Sequence, residues 1–145
     1  MGSGLINFSI SHDVGIITLN RPEARNALST EMFNDLAEAI RSCRSPDVRA
    51  VLITGSGEAF CAGADLLYLE SLLDDLSQMP DYVRLLNQCF CQLEALPVPT
   101  LALVQGFALA GGLELMMACD MAIVAEDARI GDQHANFGLM PGGGS

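Results

Sequence analysis

The sequence predicts an α/β fold, on three observations. Short apolar strand-like runs alternate with longer amphipathic segments, charges or helix breakers interrupt every apolar stretch before it reaches membrane-spanning length, and 50% of the 145 residues are hydrophobic. That composition suits one compact domain with a sizeable core, and no linker or internal repeat divides residues 1–145.

The elements follow in order. "INFSI" alternates apolar and polar residues and "VGIITLN" follows after a short "SHD" turn, which predicts a hairpin. In "STEMFNDLAEAIRSC" the residues Met32, Leu36, Ile40 and Cys43, flanked by Phe33 and Ala37, share one helical face, with Ser29 or Thr30 placed to cap it. "RAVLITGSG" predicts a short buried strand ending in glycines, and "ADLLYLESLLDDLSQ" a helix. "DYVRLLNQCFCQLEAL", after Pro80, predicts a second amphipathic helix with Val83, Leu86, Phe90 and Leu93 on its stripe. "PVPTLALVQG" supplies a strand, the segment from Gly111-Gly112 a helix, and "MAIVAE" a further strand. The order is one of recurring ββα units rather than strict βαβ spacing.

Charge and composition exclude several classes of function. The chain carries 18 acidic against 7 basic residues, a formal charge of −11, which argues against a nucleic-acid surface and against an electrostatic grip on membrane lipid. An anionic ligand would need a local basic patch, for which Arg21 and Arg25 are the candidates. The five cysteines, Cys43, Cys61, Cys89, Cys91 and Cys119, are odd in number, irregularly spaced and set in apolar segments, so they read as reduced thiols. Cys89-x-Cys91 lacks zinc-knuckle spacing, His12 and His134 lie far apart, and no metal site is predicted. The first residues, "MGSGLINFSIS", show no basic segment followed by an apolar run, and the expected compartment is the cytoplasm. "GSGEAF" places Phe60 where a dinucleotide loop needs its third glycine. Neither a G-x-S-x-G elbow nor a phosphate-binding G-x-x-x-x-G-K-[ST] loop is present, so NAD, ATP and serine-hydrolase chemistry fall away.

The stretch "GFALAGGLELMMACD" carries the chemistry. A helix starting near Gly111 leaves its first N–H groups without intrahelical partners, and glycine lets a ligand approach them. Glu114 falls one turn on, on the same side. "GEAFCAGADL" offers a second loop of small residues, Ala62, Gly63 and Ala64, whose main chain can also be approached. Two N–H donors from separate loops can pinch one developing oxyanion. On spacing alone a second reading stands equally: the glycines permit close packing, and Glu114 is a solvated or ion-paired helix residue. Cys61 reads as core packing, with no basic helper beside it, and Asp120 as a structural residue before the next strand.

Four segments, "NRPEARNAL", "VLITGSGEAFCAGADL", "PTLALVQGFALAGGLELMMACDMAIVAEDARIG" and "FGLMPGGGS", resemble in order the crotonase, or enoyl-CoA hydratase/isomerase, superfamily over essentially the whole chain. The resemblance implies a crotonase-like spiral of ββα units that binds an acyl-CoA thioester, with coenzyme A as part of the substrate and no separate cofactor. It implies backbone N–H groups of Ala62 and Gly111 as the oxyanion hole and Glu114 as principal acid/base. His134 stands where hydratases have a second glutamate, so it is the candidate partner, as acid, base or spacer; Asp132, two residues earlier, is a weaker substitute. Arg25, Ala27 and the run Ala62, Gly63, Ala64 and Asp65 match positions near coenzyme A.

The function so implied is an enoyl-CoA hydratase-like lyase that adds water to a 2-enoyl-CoA through an enolate. The alternatives are a double-bond isomerase, another crotonase-type enzyme such as a thioesterase or decarboxylase, and a non-catalytic acyl-CoA-binding module. The resemblance also implies a homo-oligomer, trimer or hexamer. The glycine-rich stop at "GLMPGGGS" reads as an interrupted fold lacking the C-terminal helical trimerisation region, and such a chain alone is expected to be weakly stable or to self-associate.

Overall fold

The computed structural model describes residues 4–72 and 75–144, and of Leu76 the backbone alone. Strands β1 (Ile6–Ser11) and β2 (Val14–Leu19) form the expected hairpin, pairing antiparallel from Ile6 with Leu19 to Ser11 with Val14. Its two-residue turn takes His12 and Asp13 to φ of 49° and 63°, the left-handed pair whose twist matches that of the strands. β3 (Ala50–Gly55), β4 (Thr100–Val104) and β6 (Met121–Val124) extend the sheet in parallel, in the order β1-β2-β3-β4-β6.

Two strands escape the sequence reading, β5 (Phe107–Leu109) and β7 (Arg129–Gly131), because three residues are too few to show a period. They pair in parallel as a second, smaller layer. Isolated bridges join Cys61 to Ala108 and Leu28 to Ala64, so the loops after β2 and β3 enter the same layer. Each turn of the chain thus lays a long strand in the main sheet, then a short extended piece in the minor layer, and then a helix or helical turn. This is the expected spiral.

Helix α1 (Thr30–Ser42) is capped by Ser29, whose Oγ accepts the Met32 N–H at 3.3 Å. α2 (Leu66–Leu72) starts after Asp65, whose Oδ1 accepts the Tyr68 N–H at 3.1 Å. The predicted helix 64–78 does not run through: Leu73 and Asp74 lie outside the described residues, and a 3-10 turn, Leu76–Gln78, leads into α3 (Met79–Glu94). α4 (Gly111–Met117) completes the set.

The core forms where α1 and α3 cover the sheet. Met32, Phe33, Leu36 and Ile40 meet Ile17, Leu19, Val51, Ile53, Ala102 and Val104 on one side and Leu86, Phe90 and Leu93 on the other. Phe33 packs edge-on to Tyr82 and Phe90 with ring centroids 5.6 and 6.1 Å apart. On α3 the predicted stripe needs one correction. Val83 is 37% exposed, and the buried position is Tyr82, whose hydroxyl donates to the Leu28 carbonyl at 2.9 Å. Hydropathy favours valine, but the partner that lets a tyrosine bury its polar tip is visible only in three dimensions.

One buried side chain ties the site loops together. Asn26 is fully buried in the left-handed region at φ 57°. Its Oδ1 accepts the Arg21 N–H at 2.8 Å, and its Nδ2 donates to the carbonyls of Ser56, Ala59 and Phe60 at 3.0, 2.8 and 3.2 Å. Asparagine fits because it tolerates this backbone and offers donor and acceptor together. Asn26→Ala is expected to lower stability by about 2–4 kcal/mol in urea denaturation, through unsatisfied buried carbonyls and an unfavourable φ. Asn26→Gly, which relieves only the backbone, should recover a minor part of the loss.

Candidate active site

The geometry starts from a choice made by the 61–65 loop. Leu28 donates its N–H to the Gly63 carbonyl at 2.8 Å and accepts the Asp65 N–H at 3.0 Å, so both hydrogen-bonding groups of Leu28 serve the bridge to Ala64. In a parallel bridge of this kind the groups of Ala64 itself point the other way. They point toward the start of α4: a Cβ at Gly111 would lie 3.7 Å from the Ala64 nitrogen, and one at Gly63 3.3 Å from the Gly111 nitrogen. Among the described residues neither the Ala64 nor the Gly111 N–H donates to a protein acceptor. The expectation for Ala62 is corrected here, because its N–H is committed to the Arg25 carbonyl at 3.0 Å. Sequence reasoning had Ala64 in the right loop but not as a donor, since strand pairing decides which N–H of a small-residue run faces outward.

The two glycines divide the readings that spacing left open. A Cβ at Gly112 would sit 2.2 Å from the Cys61 carbonyl oxygen, so Gly112 is a packing residue. Gly111 lines a cavity, and its N–H is turned into place by Ala110, a non-glycine at φ 47° and ψ −118°. Such a backbone is strained, and it is held by the Ala110 N–H donating to the Gly131 carbonyl at 3.0 Å.

Glu114 is not a solvated helix residue: it is 2% exposed. One carboxylate oxygen, Oε1, accepts the Gly143 N–H at 2.7 Å, and Oε2 lies 3.5 Å from His134 Nε2. His134 opens a 3-10 turn, His134–Phe137, and is 8% exposed. Its Nδ1 is 2.5 Å from Asp132 Oδ1, which also accepts the His134 backbone N–H at 3.0 Å. That backbone N–H and then the imidazole hold the Asp132 carboxyl below its ordinary range. Three titratable groups therefore form one chain, Glu114, His134 and Asp132, where the resemblance implied Glu114 and His134 as a pair with Asp132 as a weaker substitute.

A cavity of about 560 Å³ reaches His134, lined by Arg25, Ala27, Ala62, Ala64, Asp65, Leu109, Ala110 and Phe137 among others. A smaller apolar one of about 80 Å³ lies beyond, against Leu28, Tyr82, Leu86, Gly111, Glu114 and Met140. Ala64, His134 and Leu139 border both, so a ligand could span from one to the other past the two N–H groups. Gly63, which has φ 100°, serves the loop backbone: a Cβ there would collide with the Leu109 carbonyl at 2.7 Å.

The arginines separate. Arg21 forms an ion pair with Asp65, while Arg25, at φ 49°, sets its guanidinium 5.3 Å from the Phe107 ring centroid. Arg129 approaches the same ring at 5.8 Å, a neighbour that sequence distance hides. Cys61 is fully buried, and burial pushes its thiol up to about 12, which leaves it inert as a nucleophile. Asp120 accepts from the Thr100 N–H and hydroxyl at 2.8 and 2.9 Å, a purely structural clamp.

The chain is similar to known proteins in sequence and in fold. The family described as enoyl-CoA hydratase/isomerase matches residues 9–145. A Mycobacterium leprae protein named "Probable enoyl-CoA hydratase echA8" is 43% identical over 91% of this chain and 51% of its own length. The mouse "Enoyl-CoA hydratase domain-containing protein 2, mitochondrial" is 42% identical over 88% of this chain and 43% of its own. Crystal structures of an enoyl-CoA hydratase from Polaromonas sp. JS666 and one from Thermoplasma volcanium superpose with TM-scores of 0.92 and 0.91, at 32% and 34% identity. Both cover 97% of this chain and 56% of theirs. The chain spans about half the length of the relatives it matches.

The Arg21–Asp65 pair carries a pH signature. Burial pushes the Asp65 carboxyl up, but the hydrogen bond and charge of Arg21 with the N–H groups of Tyr68 and Leu67 bring it below the ordinary 3.8. A carboxyl depressed in the folded state stabilises fully above its unfolded value and loses that contribution as pH falls through the folded one. Asp65→Asn should therefore lower the melting temperature at pH 7 and flatten its decline below about pH 4. Thermal melts between neutral and acid pH check this.

Proposed function

The chain belongs to the enoyl-CoA hydratase/isomerase family, and from that premise we propose that the protein adds water across the 2,3-double bond of an enoyl-CoA thioester. One observation carries the reading. The outward N–H groups of Ala64 and Gly111 converge on one place between the two cavities, with the buried Glu114 carboxylate and the His134 imidazole beside it.

Held by those two N–H groups, the thioester oxygen is polarised in the ground state and stabilised more strongly once it becomes an enolate. A single donor of this kind is worth about 3–4 kcal/mol. Polarisation drains the 2,3-double bond and makes C3 open to attack by water, and the enolate collapses when C2 takes a proton. Glu114 is the principal acid/base, and its burial and the Gly143 N–H hold its carboxylate in one orientation. His134 is its partner. The larger cavity suits the pantetheine arm, and Arg25 on its wall, with Arg129 against the same Phe107 ring, suits coenzyme A phosphate in an otherwise acidic chain.

A double-bond isomerase is the second reading, and the observation that favours it is chemical. Among the described residues Glu114 is the one carboxylate lining the smaller cavity beside the N–H pair, and one carboxylate suffices to carry a proton between two carbons. A homo-oligomer, trimer or hexamer, is proposed from the resemblance, and the exposed apolar Met121, Ile123 and Val124 on β6 are consistent with further burial. A cytoplasmic setting is proposed from the free cysteines. No helix among the described residues is long and apolar enough to cross a membrane.

Incubation of the whole protein with a panel of 2-enoyl- and 3-enoyl-CoAs, followed by mass analysis, is expected to show a gain of one water on the 2-enoyl esters. Unchanged mass with a shifted double bond would give the site to isomerisation, and binding without change would make it a carrier. Glu114→Gln is expected to lower turnover at least about a hundredfold with KM nearly unchanged. Replacing Ala64 by proline, which removes its N–H, should reduce kcat by about a hundredfold or more, whereas Ala64→Gly keeps the donor and most of the activity.

A further inference from the structure

We propose that Asp132 is a positioning residue that fixes His134 as its Nδ1–H tautomer and turns the Nε2 lone pair onto Glu114, making the imidazole the proton acceptor of the site. The catalytic half of this rests on the hydratase reading; the tautomer does not.

Asp132 Oδ1 takes two hydrogen bonds from the same residue, the His134 backbone N–H at 3.0 Å and the ring Nδ1 at 2.5 Å. The backbone bond anchors the carboxylate, so the ring bond has a fixed origin and direction. An ionised carboxylate only accepts, so Nδ1 must carry the hydrogen. The outer side of Asp132 is open to water, with its side chain 47% exposed, which keeps the charge inexpensive, while the His134 side chain is 10% exposed. The charged groups set against the ring are Asp132 on one side and Glu114 of α4 on the other. Once Nδ1–H is engaged, Nε2 meets Glu114 Oε2 at 3.5 Å as one acceptor facing another unless a proton lies on one of them.

That arrangement closes a proton cycle without solvent. Neutral His134 accepts a proton at Nε2 as the O–H bond of the attacking water breaks and its oxygen bonds to C3. The π pair of C2=C3 moves through C2 to the thioester oxygen. Glu114, in its protonated form, then releases its proton to C2 as the enolate pair forms the C2–H bond. The site is left as imidazolium beside carboxylate, and the Nε2 proton passes to Glu114 once the two close the 3.5 Å between them. One water is consumed and no net proton is gained or lost. A residue serving only the local turn would need the backbone bond and not the one to the ring.

Two-bond 1H–15N spectra of the whole protein, labelled with 15N-histidine and with His134 assigned by loss of its signals in His134→Gln, read the tautomer directly. The neutral ring is expected to carry its hydrogen on Nδ1 in the wild type and to become mixed or Nε2–H in Asp132→Asn and Asp132→Ala. In the same variants kcat for hydration should fall about ten- to a hundredfold with KM within about twofold. A wild-type ring with its hydrogen on Nε2, or a tautomer unmoved by Asp132→Asn, would overturn the assignment even if a variant lost activity for other reasons. An unchanged kcat alongside a switched tautomer would overturn the catalytic half. A protein that hydrates no enoyl-CoA sinks the hydratase reading, while the spectra still decide on Asp132.

Discussion

The parallel bridge between Leu28 and Ala64 is the constraint from which the site follows. By engaging both backbone groups of Leu28, it obliges those of Ala64 to point away, toward the first turn of α4. The next loop then has to approach closely, which β5 achieves by pairing with Cys61, and Gly112 has to lack a side chain because the Cys61 carbonyl already occupies the space. Asn26 holds the same two loops from the other side through the carbonyls of Ser56, Ala59 and Phe60. Backbone groups cannot change rotamer, so donors built this way are fixed before any ligand arrives.

Strain collects where this fixing is tightest. Ala110 adopts a left-handed backbone with no glycine to ease it, and Arg25 and Asn26 do the same one layer away. Each is held by a backbone hydrogen bond: Ala110 by Gly131 of β7, Arg25 by Pro22 and Asn26 by Arg21 within their own loop. The minor layer supplies the first of these bonds, and local turn closure supplies the other two. A spiral can sustain this because every loop has a neighbour above or below with carbonyls to offer.

The electrostatics are local rather than global. A chain with a formal charge of −11 nonetheless buries Glu114, with the Gly143 N–H donating to one of its oxygens and the His134 imidazole 3.5 Å from the other. Substituting an imidazole for a carboxylate opposite Glu114 removes like-charge repulsion, and Asp132 restores a negative group one step further out, where water can solvate it. The site thus holds two carboxylates with an imidazole between them.

The sequence by itself determined the fold class, the hairpin, α1 with a hydroxyl cap at Ser29 or Thr30, the strands β3, β4 and β6, and the family, because these rest on periodicity, caps and motifs that are local along the chain. It also placed Glu114 and His134 in one site. Tertiary structure alone decided that Ala64 rather than Ala62 offers its N–H, since which group of a small-residue loop is free depends on the strand it pairs with. It alone decided that Tyr82 is buried and Val83 is not, that β5 and β7 exist, and that Arg129 joins Arg25 at one ring. The link from Asp132 through His134 to Glu114 was half legible: two of its members lie two residues apart, but the third arrives from another helix. Spacing counts residues along one chain, whereas hydrogen-bond direction is set by neighbours that the chain reaches only after it has folded.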